Sequence, residues 1–292
     1  MRLFKKVLAV SVASMCALSL AACGGSKSAE TTAAASSESK EETKAGESVS
    51  EAVAATGKDA KDIKVGISIY KFDDNFMTLY RNELVRYLTE DCGIPKDNIV
   101  VQDGKNDQAE QTNQINNFIA TKVDVMILNL VQSSSAPTVT DLAKEAGIPV
   151  VYINREPDET EESRWASDGI KATYVGADAR QSGTFQGEEI AELDNKGDIN
   201  GDGTVKYIMI QGDPENIDAQ YRTEYSVKAL TEKSGLKADE LLIQRGDWDQ
   251  AKGQQIAQDA LTQYGKDIEV IFCNNDAMAL GALQAINAAG RK

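Results

Sequence analysis

The sequence predicts an α/β fold of two lobes, each a parallel sheet flanked by helices. Three observations carry that expectation. From Ile63 onward, short apolar runs alternate with longer runs of helical period. A polar stretch at 155–172 interrupts the alternation, and it then resumes as a second series. Most apolar runs lead into Asp or Asn just ahead of the next helical pattern, which is how a buried strand passes into a helix N-cap.

Taken in order, the chain opens with Arg2, Lys5 and Lys6 before an apolar run from Val7 to Leu20. That is the layout of a secretory signal over residues 1–22, too short for a stable membrane span. Leu20-Ala21-Ala22-Cys23 puts small residues directly before a cysteine and resembles the lipobox of bacterial lipoproteins. The resemblance implies cleavage before Cys23, lipidation of that residue, and tethering to the outer face of a membrane. Residues 24–60 hold almost no large apolar side chain, so residues 23–60 read as a lipidated cysteine and a disordered tether.

The N-terminal lobe is expected over 61–172. Its strands are Ile63–Ile69, Ile99–Val101, Val123–Leu130 and Ile148–Ile153. Its helices are Met77–Leu88, Gln108–Ala120 and Pro137–Ala146, closed by Gly93, Pro95 and Gly147. Residues 155–172 are expected to be an irregular passage between lobes. The C-terminal lobe, 173–292, begins with a strand at Tyr174–Gly176 and a helix near Gly183–Leu193. Strand Val205–Ile210, helix Ala219–Lys233, strand Leu241–Gln244 and helix Gln250–Tyr264 follow, then strand Val270–Phe272 and helix Asp276–Ala289.

Composition narrows the chemistry. The formal net charge is −15, which argues against nucleic acid as a partner, since phosphate binding needs clustered Lys and Arg. There is no histidine, which removes Ser-His-Asp and Cys-His catalysis and most zinc sites. The four cysteines, Cys16, Cys23, Cys92 and Cys273, do not make a disulfide framework.

The chemistry-bearing residues collect after strands. Asp73, Asp74 and Phe76 follow the first, and Asn154 a later one. Gly212 to Asp218, including Asn216, follow Ile210, with Arg222 on the next helix. Trp248 follows Gln244, and Asn274 and Asn275 follow Phe272. Carboxylates, amides and a guanidinium can pair with vicinal hydroxyls, and aromatic rings offer flat faces to the C–H side of a sugar. Helix capping explains any one Asp or Asn; it does not explain all of them together with Phe76 and Trp248. Within Asp73-Asp74, Asp73 is expected to be the cap and Asp74 to face a cleft.

Five stretches carry a family resemblance: Tyr70-Lys71-Phe72-Asp73-Asp74-Asn75-Phe76, Asn129-Leu130-Val131, Asn154-Arg155-Glu156-Pro157, Tyr174-Val175-Gly176-Ala177-Asp178 and Asn274-Asn275-Asp276-Ala277-Met278-Ala279. In order and across both lobes, they resemble the periplasmic galactose/glucose-binding proteins, the sugar receptors of bacterial ABC importers. The resemblance implies the type I periplasmic-binding-protein fold, two Rossmann-like lobes closing on a hexose for delivery to a permease, and possible contact with a chemoreceptor. It implies a monomer and no bond-making chemistry. By position, Asp74 would bind sugar hydroxyls, Phe76 and Trp248 would sandwich the pyranose, and Asn154, Asp218, Arg222 and Asn275 would complete the ring of hydrogen bonds. Asn216 stands where the family usually has histidine. The family also extends beyond Lys292, so the resemblance implies a second lobe that is incomplete.

Asp198-Ile199-Asn200-Gly201-Asp202-Gly203 matches the start of an EF-hand calcium loop. The twelfth position is Met209 and a strand follows, which excludes a self-contained EF-hand. In the family this half-loop takes its bidentate glutamate from elsewhere, which implies Glu269 here, with Thr204 giving its carbonyl. The ninth position, a glutamine ligand in the family, is Lys206. An ammonium cannot ligate Ca²⁺ and repels it. Structural calcium on Asp198, Asn200, Asp202, Thr204 and Glu269 is therefore expected from the pattern and opposed by one residue. The functional alternatives are the same fold binding ribose or a furanose, an extracellular glycoside hydrolase with paired carboxylates, and a repressor's sensor core.

Overall fold

The structure, a computed structural model, describes residues 57–291. Residues 1–22 and Cys23 lie outside them. Five strands form the first sheet: β1 (Val65–Ile69), β2 (Ile99–Asp103), β3 (Val125–Leu128), β4 (Val150–Ile153) and β5 (Ala172–Val175). They pair in parallel in the order β2-β1-β3-β4-β5, with Ile67 opposite Val101 on one side and Ile127 on the other. A parallel sheet covered on both faces must be apolar on both, and every residue of β1 is buried. Gly66 is required by packing: a Cβ there would come within 2.6 Å of the Phe118 ring. The one polar side chain of β1, Ser68, bonds to Gln114 Oε1 at 2.8 Å and accepts from Gln111 Nε2 at 3.0 Å.

Helices α1 (Asn75–Arg86), α2 (Gln108–Thr121), α3 (Ala136–Ala146) and α4 (Glu159–Ser167) flank this sheet. One core gathers Phe118, Leu128, Tyr152 and Trp165; the other gathers Ile67, Met77, Ile127 and Val131.

Two expectations need correction. Residues 155–172 are not irregular throughout. Asp158 Oδ1 accepts from Thr160 N at 2.8 Å and starts α4, which buries Trp165 against Tyr152 with ring centroids 5.4 Å apart. This helix is short and strongly polar, with three glutamates in its first turn and Trp165 as its one large apolar anchor. Its buried Glu161 accepts from Trp165 Nε1 at 2.7 Å. The boundary between lobes is also later than residue 172. Tyr174 pairs with Tyr152 and Val175 with Ile153, so β5 closes the first sheet instead of opening the second.

The second sheet is smaller: β6 (Thr204–Gln211), β7 (Lys237–Arg245) and β8 (Val270–Cys273), all parallel, in the order β7-β6-β8. Helices α5 (Ala179–Ala191), α6 (Ile217–Ser234), α7 (Gln250–Tyr264) and α8 (Asp276–Ala288) accompany it. In the first sheet β1 lies between β2 and β3; in the second β6 lies between β7 and β8. At such points successive connections diverge and leave a crevice at the strands' carboxyl ends, where open α/β sheets bind ligands.

Candidate functional site

The first wall is built on the segment after β1. Asp74, not Asp73, is the N-cap of α1: its Oδ1 accepts from Met77 N at 2.8 Å. Asp73 is exposed and pairs with Lys71 at 3.5 Å. The reason is geometric, since a cap reaches back to the N–H three residues on, and Asp74 alone stands there. Its other oxygen accepts from Tyr70 Oη at 2.6 Å. Burial, followed by the Asp74 charge, raises the pKa of Tyr70, so the phenol stays a donor. The Arg155 guanidinium lies 3.9 Å over the Tyr70 ring and donates to the Val131 carbonyl. Phe76, the second residue of α1, is 59% exposed.

Asn154, directly after β4, has φ 64°, a left-handed backbone that asparagine tolerates better than most residues. Its Oδ1 accepts from Asn129 Nδ2 at 3.2 Å, and its carbonyl accepts from Tyr174 Oη at 3.2 Å. The first wall therefore presents oxygens whose directions are fixed by neighbours.

The second wall follows β6, β7 and β8. Asn216 caps α6, its Oδ1 accepting from Asp218 N at 2.9 Å. Asn275 caps α8 through Met278 N at 3.0 Å, and its Nδ2 donates to the Trp248 carbonyl at 3.2 Å. Arg222 Nη1 donates to the Asn274 carbonyl at 2.9 Å, and the guanidinium carbon lies 5.9 Å from the Trp248 ring centroid. Trp248 also has a left-handed backbone, φ 64°, and its indole covers Gly212, where a Cβ would fall 2.3 Å from the ring. Two buried donors of this wall, Arg222 Nε and Trp248 Nε1, have no acceptor among the described residues. Arg81 Nη1, Gln102 Oε1, Ser133 Oγ and Glu162 Oε1 are likewise unpaired, so what distinguishes this pair is its place at the carboxyl edge of the second sheet.

The walls meet. Glu156 N, beyond β4, donates to Asp218 Oδ2 on α6 at 3.1 Å. Glu156 also pairs with Arg180 of α5 at 3.4 Å. Burial pushes the Asp218 carboxyl up to about 6, against the Glu156 amide and Arg222, which both pull it down. Burial likewise lowers the pKa of Arg155, opposed by Tyr70, Asp213 and Asp218.

The 198–206 loop carries the oxygens of the calcium pattern. Asp198 Oδ1 accepts from Gly201 N at 2.7 Å and Asp202 N at 3.2 Å, and Oδ2 from Gly203 N at 2.9 Å. Asn200 Oδ1 accepts from Asp202 N, and Asp202 Oδ1 from Thr204 N, both at 2.9 Å. Glu269 accepts from Ile199, Asn200 and Lys206 backbone N–H groups at 2.8, 3.0 and 2.9 Å. Asp202 Oδ2 pairs with Lys206 Nζ at 3.2 Å. Ca²⁺ takes six to eight oxygens at about 2.3–2.6 Å. An ammonium among these oxygens, at the loop position where a further oxygen ligand would stand, does not fit it. Among the described residues, no group of three or more His, Cys, Asp or Glu is arranged to hold a metal ion.

Asp74, Phe76 and Asn154 thus stand at the carboxyl edge of the first sheet. Asn216, Asp218, Arg222, Trp248 and Asn275 stand at that of the second. Tyr70, Asn129, Arg155, Glu156 and Tyr174 were not singled out as site residues. They lie in the stretches that carry the family resemblance, and each comes at or just beyond a strand's end, which was the available signal.

The family model described as periplasmic binding protein domain matches residues 65–292. The chain is similar to the D-galactose/methyl-galactoside binding periplasmic protein of Haemophilus influenzae. They are 37% identical over 238 residues, covering 80% of this chain and 69% of that protein. It is 25% identical over 232 residues to the ribose import binding protein of Bacillus subtilis, covering 79% and 68%. Among solved structures, an ABC transporter solute binding protein of Bacillus halodurans with bound myo-inositol superposes with a TM-score of 0.65. Identity there is 28%, over 80% of this chain and 74% of that one.

Proposed function

The chain belongs to the periplasmic binding protein domain family, and on that premise we propose that it is an exported receptor that captures a hexose, D-galactose or D-glucose, between its lobes. It then presents the closed form to an ABC permease. The observation that carries this is the complementarity of the walls. Asp74 and Asn154 offer oriented oxygens, while Arg222 Nε and Trp248 Nε1 are buried donors without acceptors. A sugar hydroxyl donates to the first and accepts from the second. Phe76 and Trp248 supply apolar faces for a pyranose. No bond is made or broken; hinge closure buries the ligand and creates the surface a permease reads. The 37% identity to a galactoside binder supports a hexose. The reading includes a lipid anchor at Cys23, action as a monomer, and possible contact with a chemoreceptor.

A cyclitol or pentose is the second reading. The resemblance to inositol- and ribose-binding proteins supports it. A thermal-shift panel of D-galactose, D-glucose, D-ribose and myo-inositol separates them. A ligand at a hundred times its Kd stabilises by about 2.7 kcal/mol, a rise of roughly 5–10 °C. The hexose reading fails if galactose and glucose both leave the melting temperature unchanged at millimolar concentration.

A further inference from the structure

The 198–206 loop concentrates negative charge where a strand begins. Asp198, Asp202 and Glu269 all turn their carboxylates toward it, and Asn200 adds a fourth oxygen-bearing side chain. Gly201 and Gly203 have φ of 77° and 86°, which lets successive N–H groups point inward at these oxygens. Hydrogen bonds from N–H groups orient the carboxylates and do not neutralise them. A positive charge beside them offsets their mutual repulsion.

Lys206 supplies it. The residue lies on β6, two places after the strand starts, half-buried. Its backbone N–H donates to Glu269 Oε2 at 2.9 Å, and its carbonyl accepts from Glu269 N at 2.9 Å. Its side chain turns back along the loop and places Nζ 3.2 Å from Asp202 Oδ2. One residue therefore joins three pieces: the loop, the start of β6, and the residue that leads into β8. The ammonium is drawn toward its charged form by Asp202 first, then by Asp267 and Glu269. The stem is long enough to reach, and an ammonium gives three donors without demanding a closed shell of oxygens.

We propose that Lys206 is the resident cation of this loop: its ammonium answers the Asp202 carboxylate while its backbone pairs with Glu269 ahead of β8, so that the loop leading into β6 needs no divalent ion. The same geometry explains why oxygen side chains spaced for a cation persist beside a residue that repels one: the cation is covalently attached.

The test uses the full chain without sugar, so it is independent of the ligand reading. In wild type, the melting temperature is expected to be equal in EDTA and in millimolar CaCl₂, and calorimetric titration with CaCl₂ is expected to give no binding heat. In EDTA, Lys206→Gln is expected to melt about 2–4 °C lower. Millimolar CaCl₂ is expected to restore it, because the ammonium is replaced by a neutral oxygen ligand at the ninth loop position. Lys206→Met should lose the same stability and regain less. Calcium that stabilises the wild type, or gives saturable heat, overturns the proposal whether or not the variants fold. So does a Lys206→Met variant as stable as wild type in EDTA.

Discussion

The two walls are made of similar residue types and are finished differently. In the first, side-chain oxygens are oriented from behind: Asp74 by Met77 N and Tyr70 Oη, Asn154 by Asn129 Nδ2. In the second, Arg222 is anchored through Nη1 and Trp248 lies on Gly212, yet Arg222 Nε and Trp248 Nε1 stay without acceptors. On the proposed function, a hydroxylated ligand would join the oriented acceptors of the first wall to the unpaired donors of the second.

The largest effect should come from breaking the donor wall. Trp248→Ala removes both a ring face and a buried donor, and sugar affinity should fall about 100- to 1000-fold, read by calorimetric titration. Gly212→Ala tests the same ring from beneath: its Cβ would meet the indole at 2.3 Å, so Trp248 must leave its place and affinity should fall comparably. Asp74→Asn attacks the acceptor wall selectively. The amide oxygen can still accept from Met77 N and keep the cap, while the charged acceptor is lost, so affinity should drop about 10- to 100-fold with little change in melting temperature. Asp74→Ala adds the loss of the cap, about 1 kcal/mol.

Asp218 joins the walls and gives a pH signature. Its folded carboxyl is raised to about 6 from the usual 3.8, so the folded state holds the proton to higher pH than the unfolded chain. Its contribution to stability is therefore full below pH 4 and is lost as pH rises to 6, a fall on the order of 2 kcal/mol. Denaturant titrations of the unliganded protein should show this slope, and Asp218→Asn should flatten it. Tyr70→Phe is the mildest change. Asp74 keeps its charge and its cap and loses one orienting hydroxyl, so affinity should fall about 2- to 10-fold.

Much of the fold was legible because strands buried on both faces read as uninterrupted apolar runs; β1 and β3 are examples. Helix α4 was not, because its stability comes from Trp165 on Tyr152, a contact between distant segments hidden in a charged sequence. β5 was read as a strand and given to the wrong lobe, since pairing partners leave no local mark. At the site, strand-end Asp and Asn residues were visible one by one. What was not visible is how they are held: the stack of Arg155 on Tyr70 and the bond from Glu156 to Asp218 join residues that only the fold brings together.

The central claim is that a hexose hydroxyl system bridges the two walls. Calorimetric titration of D-galactose and D-glucose into the wild-type protein, with Trp248→Ala and Asp74→Asn beside it, tests it most directly. Saturable one-to-one binding of at least one hexose, weakened in both variants, is the expected result. No saturable heat with either hexose, or binding that survives unchanged in both variants, contradicts it.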